Sequence, residues 1–232
     1  MPEEYSPPAG TTGNMSSNYT DIGADTPEGY AISRISRELA RKTIGDVGPL
    51  DRIRQRCSIA VGDFAMADLM RFQGDPVRAG LNALQAGAPI YTDIRMVQTG
   101  IQKKGHKSQV SCILDTLSSP DTGGKTRTSA ALMSLGEHLS GSIVVIGNAP
   151  SALLVLCDLI QKGIKPALVI GTPVGFVNAA ESKELLRTLD IPSISNEGTR
   201  GGTPVAVAAM NELITCLLYT SPSPRDRTRS RM

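Results

Sequence analysis

The residues best placed to do chemistry lie where two apolar runs give way to glycine. Ile143 to Ile146 leads into Gly147-Asn148-Ala149-Pro150-Ser151-Ala152, and Ala167 to Ile170 leads into Gly171-Thr172-Pro173-Val174-Gly175-Phe176-Val177. Lys183 follows, and a third turn reads Thr199-Arg200-Gly201-Gly202-Thr203. Glycines at 171–175 and 198–202 let backbone come close to a flat ligand. Helix starts after Asn148 and Thr203 offer favourable dipoles to anions. Asp93 sits at the end of another short apolar run, either as a helix cap or as part of the site, and Met96 follows it.

These residues do not spell a nucleotide site. Gly147-Asn148-Ala149 lacks the second glycine of the dinucleotide fingerprint, and Pro150 removes an N–H where a pyrophosphate needs one. Gly124-Lys125-Thr126 before a helix mimics a phosphate loop, but Ser119 stands where its first glycine belongs. His106 and His138 have no ligand spacing, and Cys57, Cys112, Cys157 and Cys216 form no C-x-x-C pair, so no bound metal is expected.

The elements that must position these residues follow from the periodicity. Ile143–Ile146, a helix carrying Ala152, Leu153, Leu156, Leu159 and Ile160, and the run at 167–170 make a strand-helix-strand unit with connections short enough to require a parallel pair. Open α/β sheets bind ligands at the carboxyl ends of such strands. Further strands are expected at Ala88–Asp93, Val110–Leu114 and Ile191–Ser195, giving about five parallel strands in a three-layer α/β sandwich. Helices are expected after Thr26-Pro27, with one apolar stripe of Ala31, Ile32, Ile35, Leu39 and Ile44; at Pro49–Ala60, with Ile53, Cys57 and Ala60 inward; from Asp75-Pro76 to Gly87; from Thr126; at Ala179–Leu189; and at Pro204–Ile214. The first 87 residues then form a helical part against one face.

The segments quoted resemble the precorrin-8X methylmutase family of corrin biosynthesis, whose members carry G-N-A-P-[ST]-A-L and P-V-G-F-V-x-A-A-E-S-K in this order. The family's D-x-x-M-V-x-x-G-[IV] is matched from Asp93 to Ile101, and its T-R-[ST]-x-A-A by Thr126-Arg127-Thr128 with Ala130 and Ala131. The resemblance runs from about Gly29 to Ile214. It implies an isomerase that moves a methyl group between adjacent ring carbons of a tetrapyrrole, needs no cofactor, and works as a homodimer with the site near the subunit interface. It also implies catalytic roles for Ser36 and Arg127. Substrate contacts are implied at Asp93, Met96, Thr126, Asn148, Pro173, Gly175, Lys183, Arg200, Gly201, Gly202 and Thr203, with Lys125 a further partner for acid side chains. One departure stands out. Where the family has R-x-[IV]-H-A-x-G, with the histidine as ring-protonating acid, this chain reads Arg56-Cys57-Ser58-Ile59-Ala60-Val61-Gly62. Three readings follow: a substrate whose bound cobalt already activates the ring, a substitute donor among Ser58, Cys57 and Ser36, or a corrinoid binder without turnover.

Composition bounds the rest. The 232 residues suffice for one self-standing core, and three Phe, five Tyr and no Trp make it aliphatic. The net charge of +2 is set by the last eight residues, whose four Arg against one Asp carry +3 and leave −1 for the remainder. A nucleic-acid partner would rest on that tail alone. No apolar run approaches the length of a membrane span. Residues 1–24 read as a disordered leader, 25–214 as the folded domain and 215–232 as a disordered or non-native tail. The expected location is the cytoplasm.

Overall fold

The computed structural model describes residues 26–117 and 122–220, with side chains to 218. The expected leader, Ser119 and the end of the tail lie outside the described residues. Among these, a six-stranded sheet runs in the order β1 (Met70–Gln73), β6 (Ser193–Asn196), β5 (Leu168–Gly171), β4 (Ile143–Ile146), β2 (Ile90–Thr92), β3 (Val110–Cys112). Strands β2 to β6 are mutually parallel and are the five expected from the sequence. The sixth, β1, was not expected. It pairs antiparallel with β6, Met70 opposite Asn196 and Gln73 opposite Ser193. Its four residues carry little apolar signal because an edge strand is only half covered. Strand β3 stops at Cys112 rather than Leu114, because Ile113–Thr116 tighten into a 3-10 turn.

Strand alternation divides the core between the two faces. Ile143 and Val145 of β4 point to one side, with Leu168, Ile170 and Ile194, where they meet α4 (Pro76–Gln85), α5 (Arg95–Gly100) and α9 (Thr203–Thr220). Val144, Ile146 and Val169 point to the other, against α6 (Arg127–Leu135), α7 (Pro150–Gln161) and α8 (Ala179–Thr188). This is the expected three-layer sandwich. Outside α9 lies α2 (Pro49–Val61), whose Ile53 and Cys57 are buried, and outside α2 lies α1 (Pro27–Ile44). A short helix, α3 (Met66–Leu69), links α2 to β1. Thr26 caps α1 and Asp75 caps α4 through their side chains, each followed by Pro at the first helical position.

The apolar stripe on α1 stands uncovered on the single chain: Ile32, Ile35 and Leu39 are exposed and only Ala40 is buried. Two expectations for the helices are corrected. Ala60 is exposed in the last turn of α2. The last helix continues past Ile214 to Thr220, with Thr215, Cys216 and Leu217 buried, so the folded domain extends beyond residue 214. Sandwiched between sheet and α2, α9 is buried on two sides, and that erases the amphipathic period that would have marked its end.

Candidate functional site

The carboxyl ends of β2, β4, β5 and β6 point to one edge of the sheet, and the glycine-rich loops meet there. Asp93, directly after β2, is buried and faces the loop after β4. Its Oδ2 accepts hydrogen bonds from the N–H of Asn148 (2.7 Å) and Ala149 (2.9 Å), and its Oδ1 from the N–H of Gly147 (3.3 Å). Burial pushes this carboxyl above the ordinary aspartate value, and the three N–H donors oppose the push. Asp93 therefore does not cap its own helix α5, whose capping position is Ile94. It occupies the backbone donors ahead of α7, where an anionic ligand was expected to bind, and so fixes the loop that carries exposed Asn148.

That loop is tied to two neighbours. A Cβ on Gly147 would stand 3.0 Å from Cγ2 of Val97 and 3.1 Å from the Cα of Thr203, so glycine lets β4 run tight against α5 and the start of α9. Ser151, in the first turn of α7, meets the Thr126 hydroxyl at 2.9 Å. Thr126 caps α6 by accepting from the Ser129 N–H, which sets exposed Arg127 beside the loop. Lys125 is also exposed.

The loop after β5 and the turn after β6 interlock. Gly202 N–H donates to the Thr172 carbonyl (2.7 Å) and Gly175 N–H to the Thr199 carbonyl (3.1 Å). Gly201, at φ 143°, lies so close to Thr172 that any Cβ would collide with its carbonyl oxygen. Pro173 is buried beneath this contact, while Val174, Phe176 and Val177 face outward, Phe176 at 94% exposure. Asn178 starts α8 at φ 61°, a strained value for a residue with a side chain.

Lys183 lies beneath the turn and is fully buried. Its Nζ donates to the Arg200 carbonyl (2.6 Å) and to Asn196 Oδ1 (3.4 Å). Burial, with Arg187 nearby, holds its ammonium down to about 8. The Arg200 side chain reaches out to Asp63 at 2.6 Å, just past α2. That ion pair brings Ile59 and the end of α2 to the same edge. Ile59 is 38% exposed.

Two of the expected substitute donors are poorly placed for proton transfer. Cys57 is buried with its thiol pushed up to about 12 by loss of water, and it points at the Val205 carbonyl (3.6 Å). Ser58 is buried, its hydroxyl without a partner among the described residues. Ser36 sits half-buried in the middle of α1, and no hydrogen bond described joins it to the strand-end loops. Behind the site, Arg56 pairs with fully buried Glu212 (3.3 Å), a contact that pins α2 to α9.

The structure thus gathers Asp93, Thr126, Arg127, Asn148, Pro173, Gly175, Arg200, Gly201, Gly202 and Thr203 at one edge, with Met96 exposed on α5 nearby. Two residues not singled out from sequence, Asp63 and Asn196, lie at the same edge, as does Ser151 of the quoted loop. Asp63 follows a glycine that ends a helix, an ordinary loop signal, so only its pairing with Arg200 marks it. A cavity of about 590 Å³ lies elsewhere, between α1, α2 and β1, lined by Thr43, Asp51, Arg54, Phe64, Asp68 and Arg71. Its arginines are paired, Arg54 with Asp51 and Arg71 with Glu197. The strand-end edge, by contrast, is an open face rimmed by Met96, Phe176 and Val177. Among the described residues, no three His, Cys, Asp or Glu side chains group to hold a metal ion.

The chain as a whole is similar to known proteins of one family. A family model described as precorrin-8X methylmutase matches residues 31–216. The chain is 38% identical over 195 residues to a cobalamin biosynthesis protein of Archaeoglobus fulgidus, covering 83% of this chain but only 41% of that longer one. It is 37% identical over 207 residues to a cobalt-precorrin-8 methylmutase of Methanocaldococcus jannaschii, covering 83% of this chain and 96% of that one. A solved structure of a precorrin-8X methylmutase from Thermus thermophilus superposes with a TM-score of 0.74 at 36% identity, over 83% of this chain and all of the other.

Proposed function

The chain belongs to the precorrin-8X methylmutase family, and from that membership we propose that it is an isomerase of cobalamin biosynthesis that moves a methyl group from carbon eleven to carbon twelve of a corrin precursor. The reaction only rearranges atoms, so the protein needs to hold a large polycarboxylate still and steer a proton. The observation that carries this reading is the interlock of the two signature loops, Gly202 N–H on the Thr172 carbonyl at 2.7 Å. It fixes two backbone surfaces at one edge, where a flat macrocycle can lie against them. Arg127, exposed and outside the ion pairs of the described residues, suits a substrate carboxylate, at roughly 1.5–3 kcal/mol per charge-assisted hydrogen bond. Thr126, Asn148 and Thr203 supply neutral polar contacts. Arg200 contributes less charge than its sequence position suggested, because Asp63 already answers it.

Position 59 decides which substrate. An isoleucine gives the ring no proton, and Cys57 is too basic and too buried to serve in its place. We therefore assign the cobalt-bound substrate, whose metal activates the ring without an acid from this position. Relatives of both kinds are about equally similar, 37% for the cobalt-precorrin enzyme and 36% for the precorrin-8X structure.

The working unit is a homodimer, and the exposed apolar face of α1 is its seam. Tyr30, Ile32, Ile35 and Leu39 all stand in water on the single chain. A second copy covering them would also wall in the open edge. The cytoplasm is the assigned location; no helix among the described residues is long and apolar enough to cross a membrane.

The test is to incubate purified protein with precorrin-8X and with its cobalt-bound counterpart and follow the corrin spectrum. Conversion of the cobalt form, slow or absent for the metal-free one, is expected. Tight corrinoid binding without conversion of either would favour the non-catalytic reading. Binding of NAD or ATP but of no corrinoid would end the methylmutase assignment.

A further inference from the structure

Three charged side chains are buried among the described residues, and they are not treated alike. Asp93 is answered by three backbone N–H groups and Glu212 by Arg56. Lys183 has no carboxylate within ion-pair reach among the described residues; its partners are two neutral oxygens, the Arg200 carbonyl and Asn196 Oδ1. The Arg200 carbonyl also accepts from Asn196 Nδ2 at 2.6 Å, so two donors meet on one peptide oxygen. That peptide precedes Gly201 and Gly202, the residues that touch the loop after β5. A buried cation without a counter-ion is costly, and proteins tolerate one where something else supplies the negative charge.

We propose that Lys183 is a positioning residue for the anionic tetrapyrrole: it pins the 198–202 turn and holds a positive charge beneath it that substrate carboxylates neutralise on binding. This rests on the methylmutase reading and adds to it the source of the charge that receives the substrate. Lys183 is fully buried, so it acts through the turn and through its field, not by touching the ligand. The charged groups around it are few. Arg187 on its own helix is like-charged and pushes its ammonium down. At the end of β6, Glu197 is paired with Arg71 of β1, and Arg200 is paired with Asp63. On α7, packed along α8, Asp158 is paired with Lys162 at the exposed surface. None of these carboxylates is left over for Lys183.

The consequence is a linked proton. Free Lys183 loses its proton at about 8. An anion bound above it favours the ammonium and raises that value. Between the two values the complex holds more protons than the free protein, so binding takes up a proton and affinity falls as pH rises.

The experiment titrates cobyrinate, the corrinoid product of the cobalt-bound substrate, into wild type, Lys183→Met and Lys183→Arg by calorimetry. Titrations run from pH 7 to pH 9.5, in two buffers of different ionisation enthalpy. Wild type should take up a fraction of a proton near pH 8.5 and weaken by about threefold to tenfold across the range. Lys183→Met should bind more weakly at pH 7, show no pH dependence and take up no proton. Lys183→Arg should restore the charge and remove the pH dependence. Wild-type binding with no proton uptake and a flat pH profile overturns the proposal, whatever the variants do. A wild-type protein that takes up no corrinoid at all overturns the methylmutase reading, and this inference with it.

Discussion

Restoring a histidine at position 59 tests the proposed route most directly. Ile59 lies in the last turn of α2, which ends at Gly62 in the left-handed conformation. An imidazolium there meets the negative end of the helix, which favours its charged form by about 0.3–1 kcal/mol. At 1.36 kcal/mol per pH unit, that lifts the ordinary histidine value of about 6.5 to roughly 7. About half the imidazole is then protonated at pH 7, and a positioned general acid contributes on the order of 10²–10⁴ in rate. Ile59→His should therefore speed turnover of metal-free precorrin-8X by about a hundredfold or more. Turnover of the cobalt-bound form should change little. The structural cost is small, since the side chain is already 38% exposed: about 1 kcal/mol by urea unfolding. The assay is single-turnover spectroscopy from pH 6 to 9 on wild type, Ile59→His and Ile59→Gln, the last polar but unable to act as an acid. The gain should belong to histidine alone and fade above pH 7. A folded Ile59→His no faster than Ile59→Gln, or a wild type already fast on the metal-free substrate, refutes the reasoning.

Asp93→Asn keeps the shape but turns an N–H toward donors that need an acceptor. At about 1–3 kcal/mol per buried donor left unpaired, it should cost roughly 2–4 kcal/mol in urea unfolding and lower turnover; a loss under 0.5 kcal/mol would show that the loop holds itself. Arg127→Ala should weaken corrinoid binding about tenfold or more while stability stays within about 0.5 kcal/mol. The reverse pattern in calorimetry and thermal melts would make Arg127 structural. Ending the chain after Ile214 should destabilise it by about 2–5 kcal/mol, because buried Leu217 and its neighbours are lost, whereas ending it after Thr220 should leave unfolding and activity unchanged. Equal stability of the two truncations would mean that the last turns of α9 carry no packing.

Much of the site was legible because its signals are local. Four-residue apolar runs, a proline at a first helical turn and glycines at strand ends placed β4, α7 and β5, and the parallel pairing followed from connection length alone. Asn148, Gly175 and Gly201 could be assigned to the carboxyl edge of the sheet for the same reason. Arg127 was singled out by the family resemblance alone, and the Thr126 cap that sets it at the start of α6 came from the structure.

What the chain alone left open depends on contacts between residues far apart in it. Asp93 was read as a cap or a ligand contact, and only the register of β2 beside β4 turns it onto the amides at 147–149. Lys183 was expected as a substrate contact from the family resemblance alone; the packing of α8 against β6 buries it beneath the Arg200 carbonyl. Helix α9 hid its true end because a helix buried on both sides loses its period. Strand β1 hid because an edge strand needs few apolar residues. The stripe on α1 was read correctly as apolar. Periodicity says that a face must be covered, but only the tertiary arrangement says by what, and on the single chain nothing covers it.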